Sequence, residues 1–177
     1  PSSPPRNAML DLCCKLVLGY LAGSIVGSLV VGRLRGVDIR LLGSGNAGGT
    51  NALRTQGKGF ALAVVLIDVL KAVLPILWLT GAALPGVPVD AAVSREAVAV
   101  VIGAGAVAGH VWPVFFSFRG GKGMATLVGA YAAIDVVLLA PVLAGWVLVA
   151  AIGGYVGVAT MAAAAVAPLW LAVTGQA

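Results

Sequence analysis

The sequence predicts an all-α fold, a polytopic transmembrane helix bundle whose apolar windows indicate five or six helices. Of the 177 residues, 60% are hydrophobic and only 10% are charged, and the mean hydropathy is +1.07. Soluble domains carry about 25% charged residues. Long uncharged windows alternate with two polar stretches rich in glycine and cations. We therefore expect residues 1–177 to form a single integral membrane domain.

The apolar windows place the helices in order along the chain. Crossing about 30 Å of hydrocarbon takes roughly 20 helical residues, and shorter spans are tolerated. The first three spans are expected at residues 16–32, 60–83 and 97–112, with a turn over 84–90 between the last two. A fourth should run over 123–140 to a turn at Pro141, and Gly153–Gly154 or Gly157 should divide the remainder.

Small residues indicate which helices approach closely. Gly19 and Gly23 lie on one face of the first helix, and Gly105 and Gly109 form a similar pair on the third. Residues without side-chain bulk at spacings of four let two membrane helices pack backbone to backbone.

Basic residues indicate the orientation. Seven of the eleven Lys and Arg residues lie between Arg33 and Lys58 or at Arg119 and Lys122. Short loops rich in these residues stay in the cytoplasm. The N-terminus is therefore expected outside, with both polar loops on the cytoplasmic side.

The first polar loop, residues 42–58, reads GSGNAGGTNALR from Gly43 to Arg54. Its glycines permit positive φ and expose backbone N–H groups, and its polar side chains add donors, as anion-binding nests require. These positions are Gly43, Gly45, Gly48, Gly49, Ser44, Asn46, Thr50 and Asn51. Arg54 can add a bidentate contact to phosphate. A tight, capped turn between helices is the simpler interpretation.

Residues 43–48 also fit the dinucleotide-binding motif G-x-G-x-x-G. That motif requires a preceding strand, and here a membrane helix stands in its place.

The second polar loop, residues 113–122, lies within GHVWPVFFSFRGGKGMAT, residues 109–126. It is not a Walker A loop, because Phe116 replaces the first glycine and Gly123 follows Lys122 where Ser or Thr is required. Nucleotide hydrolysis is therefore not expected. Gly120, Gly121 and Gly123 surround Lys122 just before a helix expected at about Met124, and helix N-termini bind phosphate. Ordinary cations beside a membrane helix are the simpler alternative.

Three titratable residues fall within or beside the apolar windows. Asp68 and Lys71 are three apart on one helix face, and buried charges in membranes pair or face a polar cavity. We expect them to pair with each other and to support the site, and direct contact with the substrate is the alternative. His110, the only histidine, is interpreted as an interfacial residue near the phosphate site, with a role as general base left open.

Both loops closely resemble the motifs of the bacterial acyl-phosphate:glycerol-3-phosphate acyltransferases, a family of integral membrane enzymes. The first motif is similar to residues 43–51 followed by Arg54, and GRLRGVDIR at residues 32–40 precedes it. The second is similar to residues 109–126, and residues 68–71, DVLK, are similar to another landmark. The resemblance covers roughly residues 19–126.

The resemblance implies about seven helices in a bacterial inner membrane, which extends the expected range to five to seven, and an active site at the cytoplasmic face. It also implies transfer of a fatty acyl group from acyl phosphate to the 1-hydroxyl of glycerol 3-phosphate. The products are lysophosphatidic acid and phosphate, the first acylation of phospholipid synthesis. Ser44 and Lys122 become the predicted catalytic residues. Those predicted to bind or orient phosphate are Asn46, Thr50, Asn51, Arg54, His110, Arg119, Gly120, Gly121 and Gly123. No metal, cofactor or nucleic acid is implied; the partners are the two substrates and membrane lipid.

Some positions depart from the family pattern. Gly49 stands where alanine is common and Arg119 where lysine is common, and both changes are conservative. The family also implies a third motif, with an essential histidine followed by arginine and asparagine, whereas the sequence has no charged residue after Asp135. We expect either that the chain lacks this C-terminal motif or that it is an inactive relative that still binds phosphate.

Transport of a small anion or organophosphate is the alternative function. Transporters commonly contain internal repeats, and the two halves share only GGTNAL and GMATLV, a weak similarity that tilts against transport.

Overall fold

The computed structural model describes residues 6–89 and 93–174, and the regular structure in these ranges is entirely helical. The α-helices there are α1 (Arg6–Gly23), α2 (Gly27–Leu34), α3 (Gly49–Gln56), α4 (Lys58–Leu79), α5 (Arg95–Val111), α6 (Met124–Ile134), α7 (Leu139–Gly153) and α8 (Val156–Thr174). The predicted all-α class is confirmed. The chain divides into two compact units, Pro1–Ile134 and Asp135–Ala177.

Several helices are suited to a bilayer by length and composition. Among the described residues, three segments are long and apolar enough to cross one, namely Lys58–Leu79, Arg95–Phe116 and Val136–Gly153. The α1–α2 pair makes a fourth, bent by 40°. Met124–Ile134 and Val156–Val166 are apolar but shorter. The fold is that of a polytopic membrane protein. The number of membrane-spanning helices, five to seven, stays a prediction.

The continuous helix predicted over residues 16–32 is wrong, because the chain breaks between α1 and α2. The Ser24 hydroxyl donates to the Tyr20 carbonyl at 2.9 Å, and Val26 has an extended backbone. The break frees the Ile25 carbonyl and the Gly27 N–H from helical hydrogen bonds. Buried side chains of α4 bind both groups instead.

Helices α1 and α5 pack backbone to backbone, as their glycines predict. A Cβ added at Gly23 would collide with the backbone of Ala106, and one at Gly105 would collide with the Leu16 carbonyl. Gly19 and Gly109 meet the facing helix in the same way. This contact fixes the end of α5 from which the second loop leaves.

Helix α4 packs against five other helices of the first unit, α1, α2, α3, α5 and α6. It contains Pro75, which removes the helical hydrogen bond to the Lys71 carbonyl without ending the helix. A Cβ at Gly129 of α6 would collide with the Val69 backbone, so these helices also approach closely. After α4, residues 84–89 are non-helical with a positive φ at Gly86, as predicted, and Asp90 lies outside the described residues.

In the second unit, the turn predicted at Pro141 is wrong. Helix α6 already ends at Ile134, and Asp135 caps a short 3-10 turn by accepting from the Val137 N–H at 2.9 Å. Pro141 lies in the first turn of α7, where its missing N–H removes no helical hydrogen bond. The predicted division at Gly153–Gly154 is confirmed, because Gly154 ends α7 with a positive φ.

Candidate functional site

The first glycine loop is organised by the buried side chain of Asn51. Its carbonyl oxygen accepts from the Ser44 backbone N–H at 3.0 Å, and its amide donates to the carbonyls of Ile39 and Leu42, each at 3.0 Å. Gly43 and Gly45 adopt the positive φ that the sequence predicts. Asn51 therefore fixes the backbone that presents Ser44, whose own side chain is exposed.

The irregular loop predicted over residues 42–58 is partly wrong, because α3 occupies Gly49–Gln56 within it. Gly48 precedes the helix and provides no side-chain cap. Thr50 lies in the first turn and Arg54 one turn further on. The N-terminus of α3 therefore opens directly after the glycine loop, where its N–H groups are available to an anion.

The second glycine loop is fastened to the end of α5. The Gly120 N–H donates to the Val111 carbonyl at 3.2 Å, and the Gly121 N–H donates to the His110 carbonyl at 3.1 Å. Gly123, with φ of 86°, then leads into α6, which begins at Met124 as predicted. Lys122 is exposed on this loop, directly before the α6 N-terminus.

The two loops contact each other. Arg40, which precedes the first loop, donates from Nη1 to the carbonyls of Phe116 and Arg119, each at 3.2 Å. A Cβ added at Gly121 would lie 2.7 Å from the Ala47 carbonyl oxygen, so the second loop packs directly on the first. Ala47 and Phe116 also share a buried apolar cluster. The two glycine loops therefore pack against each other.

The two loops and α3 carry exposed positive charges. The cationic side chains of Arg54, Arg119 and Lys122 are exposed. Within residues 6–89 and 93–174, none of the three forms an ion pair. Thr50 is also exposed, and Asn46 is half-buried between the two glycine pairs of the first loop. Arg119 and Lys122 precede the α6 N-terminus, and Arg54 lies in the last turn of α3. Exposed cations without an ion-pair partner can bind an anion with several oxygens, such as a phosphate.

Asp68, Lys71 and His110 form a buried polar cluster next to the second loop. The Lys71 ammonium lies 2.9 Å from Asp68 Oδ1, 2.7 Å from His110 Nδ1 and 3.2 Å from the Ile25 carbonyl oxygen. Asp68 Oδ1 also accepts from the Gly27 N–H at 3.0 Å. The two charges expected to pair are thus in contact. The contact of Lys71 with His110 was not predicted, because it depends on which helices are neighbours in the fold.

Metal ligation is not built into this cluster. Across the described part of the chain, no group of three His, Cys, Asp or Glu side chains is placed to hold a metal ion.

A cavity of about 340 Å³, which the sequence did not predict, lies beside the loops. It is lined by Leu29, Arg33, Gly36, Val37, Asp38, Arg40 and Phe116. Hydrogen bonds from Arg40, at 2.7–3.2 Å, hold the pKa of Asp38 below its usual value, and Asp38 raises the pKa of Arg40. The Arg33 guanidinium stacks 4.6 Å from the Phe116 ring centre. The only sequence feature that indicated this cavity is the concentration of three arginines and one aspartate within residues 32–40.

Comparison with known proteins identifies the family. The family model described as glycerol-3-phosphate acyltransferase matches residues 13–176. The protein of that name from Cronobacter sakazakii (strain ATCC BAA-894) is 43% identical over 157 residues, which cover 88% of this chain and 72% of the relative. The one from Methylorubrum extorquens (strain PA1) is 40% identical over 166 residues, covering 93% and 76%.

Solved structures agree with this similarity. The crystal structure of PlsY (YgiH), an integral membrane glycerol 3-phosphate acyltransferase, in its glycerol 3-phosphate form is 32% identical, with a TM-score of 0.72. The match covers 93% of this chain and 78% of that one. Its lysophosphatidic acid form is 31% identical, with a TM-score of 0.70 over 93% and 77%.

Proposed function

The chain belongs to the glycerol-3-phosphate acyltransferase family, and we propose that it transfers a fatty acyl group from acyl phosphate to the 1-hydroxyl of glycerol 3-phosphate. The hydroxyl oxygen bonds to the acyl carbon, and the bond from that carbon to the phosphate oxygen breaks. The hydroxyl proton leaves with the released phosphate. The products are lysophosphatidic acid and inorganic phosphate, so the enzyme acts in phospholipid biosynthesis.

The observation that carries this proposal is the contact between the two glycine loops. Both substrates bear phosphoryl groups, and the joined surface offers two helix N-termini together with Arg54, Arg119 and Lys122 as free cations. Held on one surface, the two phosphoryl groups would bring the hydroxyl to the acyl carbon, and fixed donors would stabilise the departing phosphate.

We propose individual roles for the residues of the two loops. Ser44 and Lys122, one from each loop, contact the reacting groups, and both are exposed and accessible to substrate. Arg54, Thr50 and Asn46 bind phosphoryl oxygens, whereas buried Asn51 orients the loop that carries Ser44. Gly120 and Gly121 let the second loop pack against the end of α5 and against the first loop, and Gly123 leads into α6. These glycines thereby position Lys122 for the ligand, and Arg119 adds charge.

The location proposed for the enzyme is the bacterial inner membrane, with both loops in the cytoplasm and the N-terminus outside. Its cations are concentrated on the loop side of the described helices, and positively charged loops stay cytoplasmic. Soluble glycerol 3-phosphate would then reach the site from the cytoplasm and acyl phosphate from the inner leaflet.

The test uses the purified full-length protein in lipid vesicles. Phosphate release and lysophosphatidic acid formation are expected only when acyl phosphate and glycerol 3-phosphate are both present. Uptake of labelled glycerol 3-phosphate into the vesicles without product would contradict the proposal and support transport. Phosphate binding with neither activity would indicate an inactive relative.

Two substitutions test the site within the same assay. Ser44→Ala and Lys122→Ala should each lower kcat by about a hundredfold or more, because each removes a group placed against the reacting phosphoryl. Lys58→Ala, which removes an exposed cation at the start of α4, is the matched control and should stay near wild type. Near-normal rates in both loop variants would refute the site assignment even if the activity itself is present.

A further inference from the structure

The buried cluster of Asp68, Lys71 and His110 links three parts of the fold. Asp68 and Lys71 lie on α4, His110 lies at the end of α5, and the backbone between α1 and α2 supplies Ile25 and Gly27. All three side chains are at most 7% exposed. Ionised groups with so little access to water are stable only when partners satisfy them.

The three donors of the Lys71 ammonium are all used. They point to Asp68 Oδ1 at 2.9 Å, to the Ile25 carbonyl at 3.2 Å and to His110 Nδ1 at 2.7 Å. An ammonium group only donates, so Nδ1 must present its lone pair to Lys71. His110 Nδ1 also lies 3.4 Å from Asp68 Oδ1. A proton on Nδ1 would, however, be repelled by the Lys71 ammonium, which lies closer, at 2.7 Å. A neutral ring whose Nδ1 accepts carries its proton on Nε2.

His110 Nε2 lies where the two glycine loops meet. A Cβ added at Gly121 would collide with this nitrogen and would lie 2.7 Å from the Ala47 carbonyl oxygen. Gly121 of the second loop and Ala47 of the first therefore both border the edge of the ring that carries Nε2. The ring is also anchored through its own backbone, because the His110 carbonyl accepts from the Gly121 N–H.

We propose that Lys71 and Asp68 are positioning residues that hold His110 as the neutral, Nε2-protonated tautomer, so that it donates a hydrogen bond to a phosphoryl oxygen held by the two loops. This inference rests on the proposed function for the identity of the ligand. Lys71 occupies Nδ1, and Asp68 orients Lys71 while it receives the Gly27 N–H. His110 in this state is a fixed donor to the anion and does not accept the substrate proton.

The direct test is nitrogen NMR of ¹⁵N-histidine-labelled protein in lipid, purified without a histidine tag. The resonances absent from His110→Gln identify His110. At neutral pH, Nε2 should carry the proton and Nδ1 should be unprotonated, because the Lys71 ammonium donates to Nδ1. A charged ring at neutral pH, or a proton on Nδ1, would overturn the proposal. This measurement on the wild-type protein needs no variant and no turnover.

Substitution of Lys71 tests the positioning role. In Lys71→Met the proton should no longer be confined to Nε2, because Nδ1 loses its donor. Lys58→Met, on the exposed end of the same helix, should leave the spectrum unchanged. The Asp68→Asn/Lys71→Met double variant removes both charges and avoids an unpaired buried carboxylate, should the single variant fail to fold. Unchanged ring nitrogens in a folded Lys71 variant would contradict the assignment.

Inorganic phosphate and kinetics test the donor role. Added phosphate should shift the Nε2 resonance more than that of Nδ1. His110→Leu should lower kcat by about a hundredfold, the loss typical of one donor to a developing anion, and His110→Gln, which can place an N–H near the same point, should recover most of it. Equal loss in both variants, or a phosphate-insensitive Nε2, would refute the donor role. A correct tautomer in a protein without acyltransfer would refute the proposed function alone.

Discussion

Arg40 is the residue on which the join between the loops depends most directly. Its guanidinium binds Asp38 and the carbonyls of Phe116 and Arg119, so one side chain links the chain before the first loop to the second loop. Lysine would not reproduce this arrangement, because its compact ammonium lacks the planar fork that binds a carboxylate bidentately while other N–H groups point to the two carbonyls.

The Asp38–Arg40 pair predicts a pH dependence of stability. The Asp38 pKa is lowered in the folded protein, so the pair stabilises the fold above the unfolded pKa of about 4, and this contribution is lost as the pH falls through the lower folded value. Asp38→Asn should therefore unfold at a lower temperature than wild type at neutral pH. The difference should shrink on acidification below about pH 4. Thermal unfolding in detergent across this range measures it, and a difference independent of pH would contradict the pairing.

Gly121 predicts a loss of activity from one added methyl group. The Cβ of Gly121→Ala would meet the His110 ring and the Ala47 carbonyl, and the backbone can yield only if the loops separate. A displacement of about 1 Å can cost about a hundredfold in rate, so we expect a comparable loss of kcat/KM in a folded protein. Gly153→Ala, where nothing lies within 4 Å of the new Cβ, is the control. Equal rates in both variants would show that the loops do not need this contact.

At the residue level, the roles of Ser44, Arg54 and Lys122 stay predictions. The glycine-rich motifs drew attention to these positions because each motif is contiguous in the chain, and the family resemblance supplied the roles. Asn51 was expected near phosphate, yet its side chain is spent on three backbone groups of its own loop. The Lys71–His110 contact spans 39 residues between two helices, and no local pattern encodes such a pairing.

At the level of helices, the contact between α1 and α5 predicts a large effect of a small side chain. Gly105→Ala would place a methyl group against the Leu16 carbonyl and the Tyr20 backbone nitrogen, neither of which can move independently of α1. We expect a destabilisation of about 1–3 kcal/mol, the usual cost of overpacking, measured as a lower unfolding temperature in detergent. Gly59→Ala adds a methyl group at an open position of α4 and should be neutral or slightly stabilising. Similar melting of the two variants would contradict backbone-to-backbone packing.

Helix ends were predictable where a local residue dictates them and not elsewhere. Trp112–Pro113 ends α5 and Gly154 ends α7, because proline and left-handed glycine act within the chain itself. The break between Gly23 and Gly27 was missed. Its freed backbone groups are satisfied by Asp68 and Lys71 from another helix, and only the assembled fold provides those partners.

For the whole molecule, composition determined the class and the motifs determined the family. A chain with 10% charged residues cannot form an ordinary soluble core, and its cations are confined to a few segments. The contact between the two loops could be proposed from the sequence because both carry phosphate-binding features. The residues that form this contact could not be predicted, because Arg40, Ala47 and Phe116 join the loops through contacts between segments distant in the chain.

The orientation of the molecule in the membrane gives the last prediction. If the loops are cytoplasmic, a cysteine at Lys58 should be shielded from an impermeant maleimide in intact cells. A cysteine at Val89, an exposed residue that follows α4, should react. Cys13 and Cys14 must first be replaced by serine or alanine, since Cys13 is itself exposed. Permeabilised cells should label both positions, which controls for accessibility. Labelling of Lys58→Cys from outside, with protection of Val89→Cys, would invert the topology and place the phosphate site away from the cytoplasmic pool of glycerol 3-phosphate.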